Sequence, residues 1–236
     1  MSSFALKMLA MFTMLVDHIG VAFGPHMRLS LYFLCRTVGR LAMPLFCFMI
    51  AEGLFHTRNA KKYLLRLTLF ALVSEVPFDR LFMGEWLEYS FQNVGFTLLL
   101  GFLGILLFDS FAAQGNKAAA LAAILAVGLA SVLIRSDYTA FGVYYIFVFY
   151  YFRSNPRGRA AALATGVLLC AVSLLTSGED WRYALATLAA VTAVIPIGLY
   201  SNERGRDSSA VRMAFYAFYP AHLLILYAAT LLLPMP

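Results

Sequence analysis

A lysine, a histidine and two arginines stand inside apolar stretches near the start of this chain: Lys7, His18, Arg36 and Arg40. The interval from Lys7 to His18 is about three full turns of helix, so both project from one face with roughly 16 Å between them. An imidazole is the side chain best suited to general base work near neutral pH. Its plainer role is that of a buried neutral histidine donating to a carbonyl. Arg36 and Arg40 occupy positions i and i+4 of one helix and share a face. Two cations held in lipid require an anion, which a carboxylate, a bound phosphate or a developing oxyanion can supply. A basic group at the membrane surface with an imidazole deeper on the same face suits a long anionic donor whose reactive end reaches inward.

Other candidates complete the cluster. Asp17 is adjacent to His18 and points about 100° away around the helix, so pairing with Arg36 or Arg40 suits it better than orienting the imidazole. Glu75, in a later apolar stretch, is the carboxylate left to orient His18. Lys7, Glu52 and Asp109 lie near helix ends, where long or terminal charges reach the interface. Asn93, after Gln92, opens another apolar run and serves either as a helix cap or as a hydrogen-bonding group for substrate. His222, beside Pro220 in the last apolar run, is equally open to packing and to contact with substrate. Cys35, Cys47 and Cys170 are embedded in apolar sequence and support neither a disulfide framework nor a thiolate zinc site; no metal is expected.

The elements that hold these residues are membrane helices. Of 236 residues 62% are hydrophobic and 13% charged, with mean hydropathy +0.79, more apolar surface than one water-soluble core can hide. At roughly 20 residues per crossing of about 30 Å, the length allows about eight to ten spans. Polar breaks place nine, near residues 4–24, 28–55, 60–79, 93–113, 117–135, 139–153, 158–176, 181–200 and 211–233. The run at 139–153 is short for a span and could be tilted, re-entrant or broken. The first run contains Asp17 and His18 and reads as a retained span, not a cleaved signal. There is no fixed-period repeat, so residues 1–236 read as a single membrane-embedded domain of all-α class.

Basic residues give the orientation. One side carries Arg58, Lys61, Lys62, Arg66, Lys117, Arg153, Arg157, Arg159, Arg204, Arg206 and Arg212, the other only Arg28, Arg80, Arg135 and Arg182. The positive-inside rule then places the N-terminus in the cytoplasm. The net charge of +6 needs no nucleic acid partner, because basic loops flanking spans account for it.

The segments LKMLAMFTMLVDHIG (6–20), RTVGRLAMPLFCFMIAEGLFHTRNAKKYLLRL (36–67), SEVPFD (74–79), QNVGFTLLLG (92–101) and FYAFYPAHLLIL (215–226) resemble the TraX family, associated with N-terminal acetylation of conjugative pilin. The stretch at roughly 110–210 is generic. The resemblance implies a bacterial multi-pass inner-membrane acyltransferase using acetyl-CoA, and an acceptor peptide, glycan or lipid bearing an amine or hydroxyl. Lys7 and His18 also match the basic-x10-His pattern of the related acyltransferase-3 proteins, in which the histidine is regarded as the base. On this reading acetyl-CoA lies with its phosphates near Lys7, Arg58, Lys61 and Lys62, and Arg36 or Arg40 stabilises the oxyanion. The arginine pair of that wider group lies in a later helix at another spacing, so this assignment is the looser one.

A small-solute or ion transporter is the rival class, since intramembrane charges also line transport pathways. Against it, the repeated halves common in transporters are missing, and the buried charges concentrate in the first 110 residues. An assembly scaffold is a third class, distinguished by indifference to loss of His18.

Overall fold

The computed structural model describes residues 1–233 and is all-helical: eleven α-helices and two short 3-10 segments, with no strand among the described residues. The helices are α1 (Ser3–Phe23), α2 (Leu29–Gly39), α3 (Ala42–His56), α4 (Ala60–Phe82), α5 (Val94–Ala113), α6 (Lys117–Leu133), α7 (Thr139–Tyr151), α8 (Pro156–Thr176), α9 (Trp181–Leu188), α10 (Val194–Gly198) and α11 (Ser209–Thr230). Each of the nine expected apolar segments is helical. Two of them are interrupted, and proline explains both interruptions. The expected helix at 28–55 breaks at Arg40–Leu41, because Pro44 lacks the N–H that would bond the Arg40 carbonyl and its ring crowds that carbonyl. The segment at 181–200 passes through a 3-10 turn at Ala189–Ala193 for the same reason, with Pro196 four residues after Thr192. Pro77 and Pro220, by contrast, lie inside continuous helices.

Six stretches are long and apolar enough to cross a bilayer: Ser3–His26, Leu29–His56, Val94–Ala113, Pro156–Thr176, Trp181–Gly198 and Ser209–Thr230. Helix α4 is long but carries Lys61, Lys62, Arg66, Glu75, Asp79 and Arg80. Helices α6 and α7 are short, at 17 and 13 residues.

The chain forms two compact units from interleaved segments. The first comprises Met1–Phe46, Val76–Trp86 and the chain from Ala160 on; the second comprises Cys47–Glu75 and Leu87–Arg159.

In the first unit α1 and α2 form an antiparallel hairpin. A Cβ on Gly20 would lie 2.7 Å from the Cβ of Cys35, and one on Gly39 would collide with the carboxylate of Asp17. These two bare backbones let the helices approach closely, the usual role of small residues between membrane helices. Helix α11 runs parallel to α1: Phe4 and Lys7 meet Phe215, and one stretch further along His18 meets Tyr219 and His222. The loop before α11 ties down the start of the chain, with Ser3 N–H donating to Glu203 O at 2.7 Å and Phe4 N–H to Arg204 O at 3.1 Å. Gly205 has φ +69° there, and a Cβ would meet Ser2 Oγ at 2.7 Å, so only glycine fits on both counts.

In the second unit α5 packs against α6 and α7. The turn into α7 holds Arg135, Tyr138 and Thr139 at positive φ (51°, 62° and 42°), each a strain of order 1 kcal/mol that surrounding bonds must offset. A buried hydroxyl network does so: Thr97 donates to Asp137 O, Ser131 donates to Thr139 O at 2.9 Å, and Ser136 Oγ lies 2.6 Å from Ser131 Oγ. Helix α7 itself is continuous and buries Val143, Tyr145, Ile146, Val148 and Phe149. Of Glu52 and Asp109, expected to reach the interface from helix ends, Asp109 is exposed and accepts from Tyr150 at 2.5 Å, whereas Glu52 is buried and gripped by Arg153 from Nε at 2.8 Å and NH2 at 3.2 Å.

Candidate active site

The first unit brings four of the singled-out residues into one neighbourhood. His18 Nδ1 lies 2.7 Å from His222 Nε2. His222 Nδ1 lies 2.8 Å from the carbonyl oxygen of Phe218, one turn back on α11. Phe82, Tyr219 and Phe218 surround the two imidazoles, with Phe82 edge-on to His18 at 5.3 Å and Phe218 4.7 Å from His222. His222 is buried at 5% exposure. The ring partner of His18 is thus a second histidine, supplied by the far end of the chain.

Asp17 faces the other way, as adjacency on a helix requires. Its Oδ2 accepts from Arg36 NH1 at 2.6 Å, with each side chain under a fifth exposed. Asp17 Oδ1 and Arg36 Nε are buried without a hydrogen-bond partner among the described residues. Arg36 is within electrostatic reach of His18, and both Arg36 and Arg40 are within reach of Asp17. Arg36 occupies the last turn of α2 and Arg40 caps it, where a cation also complements the helix dipole.

Lys7 stands over the Phe215 ring at 5.2 Å, and Arg204, Asp207 and Arg212 lie within electrostatic reach. Asp207 binds Arg212 at 2.9 Å and Arg204 at 3.3 Å. Burial opposes ionisation of Asp207, but these two arginines outweigh it and hold the carboxyl below its usual range. Arg204 and Arg212 were legible only as charges on the basic side; the signal for Arg204 was the dense polar run NERGRD before the last apolar helix, and Arg212 lies in the first turn of that helix.

The remaining candidates belong to the second unit. Asn93 caps α5, its Oδ1 accepting from Gly95 N–H at 2.7 Å. Its amide nitrogen donates to Ala71 O at 2.9 Å and to Glu75 Oε2, so both N–H groups are used in tying α4 to α5. Glu75 is therefore bound to Asn93. Arg58, Lys61 and Lys62 lie at the turn into α4, where Asn59 caps the helix by accepting from Lys62 N–H at 2.8 Å. The three cysteines are free thiols, and no group of three or more metal-ligating side chains occurs among the described residues.

An all-helical chain with six bilayer-length apolar helices, and with a histidine pair and an ion pair inside them, is a multi-pass membrane protein. The chain belongs to the TraX family: the family described as TraX protein matches residues 2–230. It is also similar to "Probable fimbrial assembly protein FimC, serogroup H1" of Dichelobacter nodosus, with 31% identity over 251 aligned positions that cover 98% of this chain and 97% of that protein. No solved structure matches.

Proposed function

We propose that this protein is a membrane-bound acetyltransferase that moves an acetyl group from acetyl-CoA to an amine or hydroxyl, with the N-terminus of a fimbrial or pilin subunit as the favoured acceptor. The observation that carries this reading is His18, half-buried among aromatic rings, hydrogen-bonded to a second histidine and within electrostatic reach of Arg36. Family membership and the fimbrial assembly role in the relative's name supply the acceptor class.

The chemistry balances without a metal. His18 takes the proton of a neutral acceptor amine as nitrogen attacks the thioester carbonyl, and a carbon–nitrogen bond forms. The resulting oxyanion is stabilised by the Arg36 guanidinium, with Arg40 the alternative. The carbon–sulfur bond then breaks, and the leaving thiolate takes the proton back from the imidazolium. Phosphates of the donor lie at the basic end of α1, near Lys7 with Arg204 and Arg212; Arg58, Lys61 and Lys62, in the second unit, are further cytoplasmic cations by the charge distribution of the sequence. In the second unit Glu75 holds Asn93 at the start of α5. Mass spectrometry of envelope proteins and glycans from cells with and without the protein should show an acetyl mass that disappears with it. An unchanged acetyl pattern accompanied by lost solute uptake would instead favour a transporter.

The same reading places the protein in a bacterial inner membrane with its N-terminus in the cytoplasm. Because α1 and α11 run parallel, crossing the bilayer in the same sense requires an odd number of crossings, which nine satisfies and six does not. A fluorescent reporter fused to the N-terminus should therefore fold in the cytoplasm, and alkaline phosphatase fused to the C-terminus should be active outside. Both termini reporting the same side would overturn this topology.

A further inference from the structure

We infer that His222 is a positioning residue that fixes the tautomer of His18, leaving its Nε2 as the bare, basic nitrogen. The inference rests on the reading of His18 as the base, and it follows from hydrogen-bond bookkeeping along α1 and α11.

The two rings lie 4.9 Å apart between centroids with 5° between their planes. Such values can describe face-to-face rings, but the nitrogens exclude that here. Nδ1 of one and Nε2 of the other are 2.7 Å apart, and the centroid separation is close to that distance plus the two ring radii. Both nitrogens therefore fall on the line between the centres, and the nearly parallel rings meet edge to edge in one plane, the geometry of a direct imidazole–imidazole hydrogen bond.

The direction of that bond is set from the far end. The Phe218 carbonyl can only accept, so His222 Nδ1 carries a hydrogen and donates to it. A neutral imidazole with hydrogen on Nδ1 presents a lone pair on Nε2. His222 Nε2 is then the acceptor, and His18 Nδ1–H donates to it. The neutral His18 is left with an unprotonated Nε2, the form required to take a proton from an acceptor amine. Without an acceptor at this point, histidine reverts to the tautomer with hydrogen on Nε2 that prevails in water, and the reactive nitrogen is blocked. After proton uptake the His18 Nδ1–H bond becomes charge-assisted and stronger, so the arrangement also favours the imidazolium that forms during transfer. Placing the acceptor on a helix interior, where Phe218 O is one turn below the His222 ring, makes the orientation a property of the α1 and α11 packing.

The test separates this inference from the reading beneath it. Full-length protein labelled with 15N-histidine, with His26→Gln and His56→Gln to clear the other two of the four histidines, is reconstituted in vesicles for solid-state NMR. His18 should show hydrogen on Nδ1 and none on Nε2. His222→Gln, whose side-chain oxygen can replace Nε2 as acceptor, should keep that pattern, whereas His222→Leu should move the hydrogen to Nε2. In acetyl transfer from labelled acetyl-CoA to envelope fractions, His222→Leu should lower kcat about 10²-fold, at the low end for loss of general base action, with KM for acetyl-CoA unchanged. His222→Gln should recover most of the rate. Wild-type His18 with hydrogen on Nε2, or an unaltered His18 spectrum in His222→Leu, overturns the inference even in an active enzyme. Absence of acetyl transfer from the wild type overturns the acetyltransferase reading, while the NMR spectra still decide whether His222 sets the His18 tautomer.

Discussion

His18→Asn is expected to lower acetyl transfer by about 10²- to 10⁴-fold, the range by which a positioned general base accelerates proton transfer, while the protein remains folded. Asparagine is the informative replacement because its amide N–H occupies nearly the place of Nδ1–H and can still donate to His222 Nε2. Alanine would leave that buried nitrogen without a donor, a penalty of about 1–3 kcal/mol that confounds activity with stability. The measurement is transfer of labelled acetyl in proteoliposomes, read beside thermal unfolding in detergent. A His18→Asn protein that transfers acetyl at the wild-type rate removes His18 from the base role. One that loses transfer but also unfolds early would assign His18 to packing.

The largest effect on stability is expected from Asp17. Its pair with Arg36, at 2.6 Å and mostly buried, lies between helices packed closely through Gly39. Asp17→Ala leaves a guanidinium in apolar surroundings without its carboxylate, and removing one partner of such a pair costs about 3–5 kcal/mol. Removing both is different: Asp17→Ala combined with Arg36→Met should return stability to within about 1 kcal/mol of wild type, since apolar replacement of a buried pair is often neutral. If Arg36 also stabilises the oxyanion, the double variant regains its fold and not its activity. Loss of one donor of this kind lowers kcat by about 10²–10³-fold. Unfolding in graded denaturant, with acetyl transfer on the same samples, separates the two roles. A double variant with full activity would confine Arg36 to structure.

Much of the fold was legible because lipid leaves few options. A backbone inside hydrocarbon must satisfy its own hydrogen bonds, so the apolar runs are helices; all nine are helical, and six stretches are of bilayer length. At the two breaks Pro44 and Pro196 each remove a specific helical bond. Their outcome was not legible, because Pro77 and Pro220 are chemically equivalent and leave their helices continuous. Packing decides whether the freed carbonyl finds another arrangement.

For the site, sequence by itself determined which polar groups are embedded, and that Lys7 and His18 share a face while Asp17 turns from His18. Those facts depend only on helical pitch and hydropathy. Tertiary structure alone decided partners. The ring that meets His18 comes from 204 residues away, Asp17 takes Arg36 as its bonded partner, and Asn93 and Glu75 hold each other across α4 and α5. Pitch fixes the direction and depth of a side chain within its own helix; it carries no information about which other helix lies opposite, and that choice is made by close approach at residues such as Gly20 and Gly39.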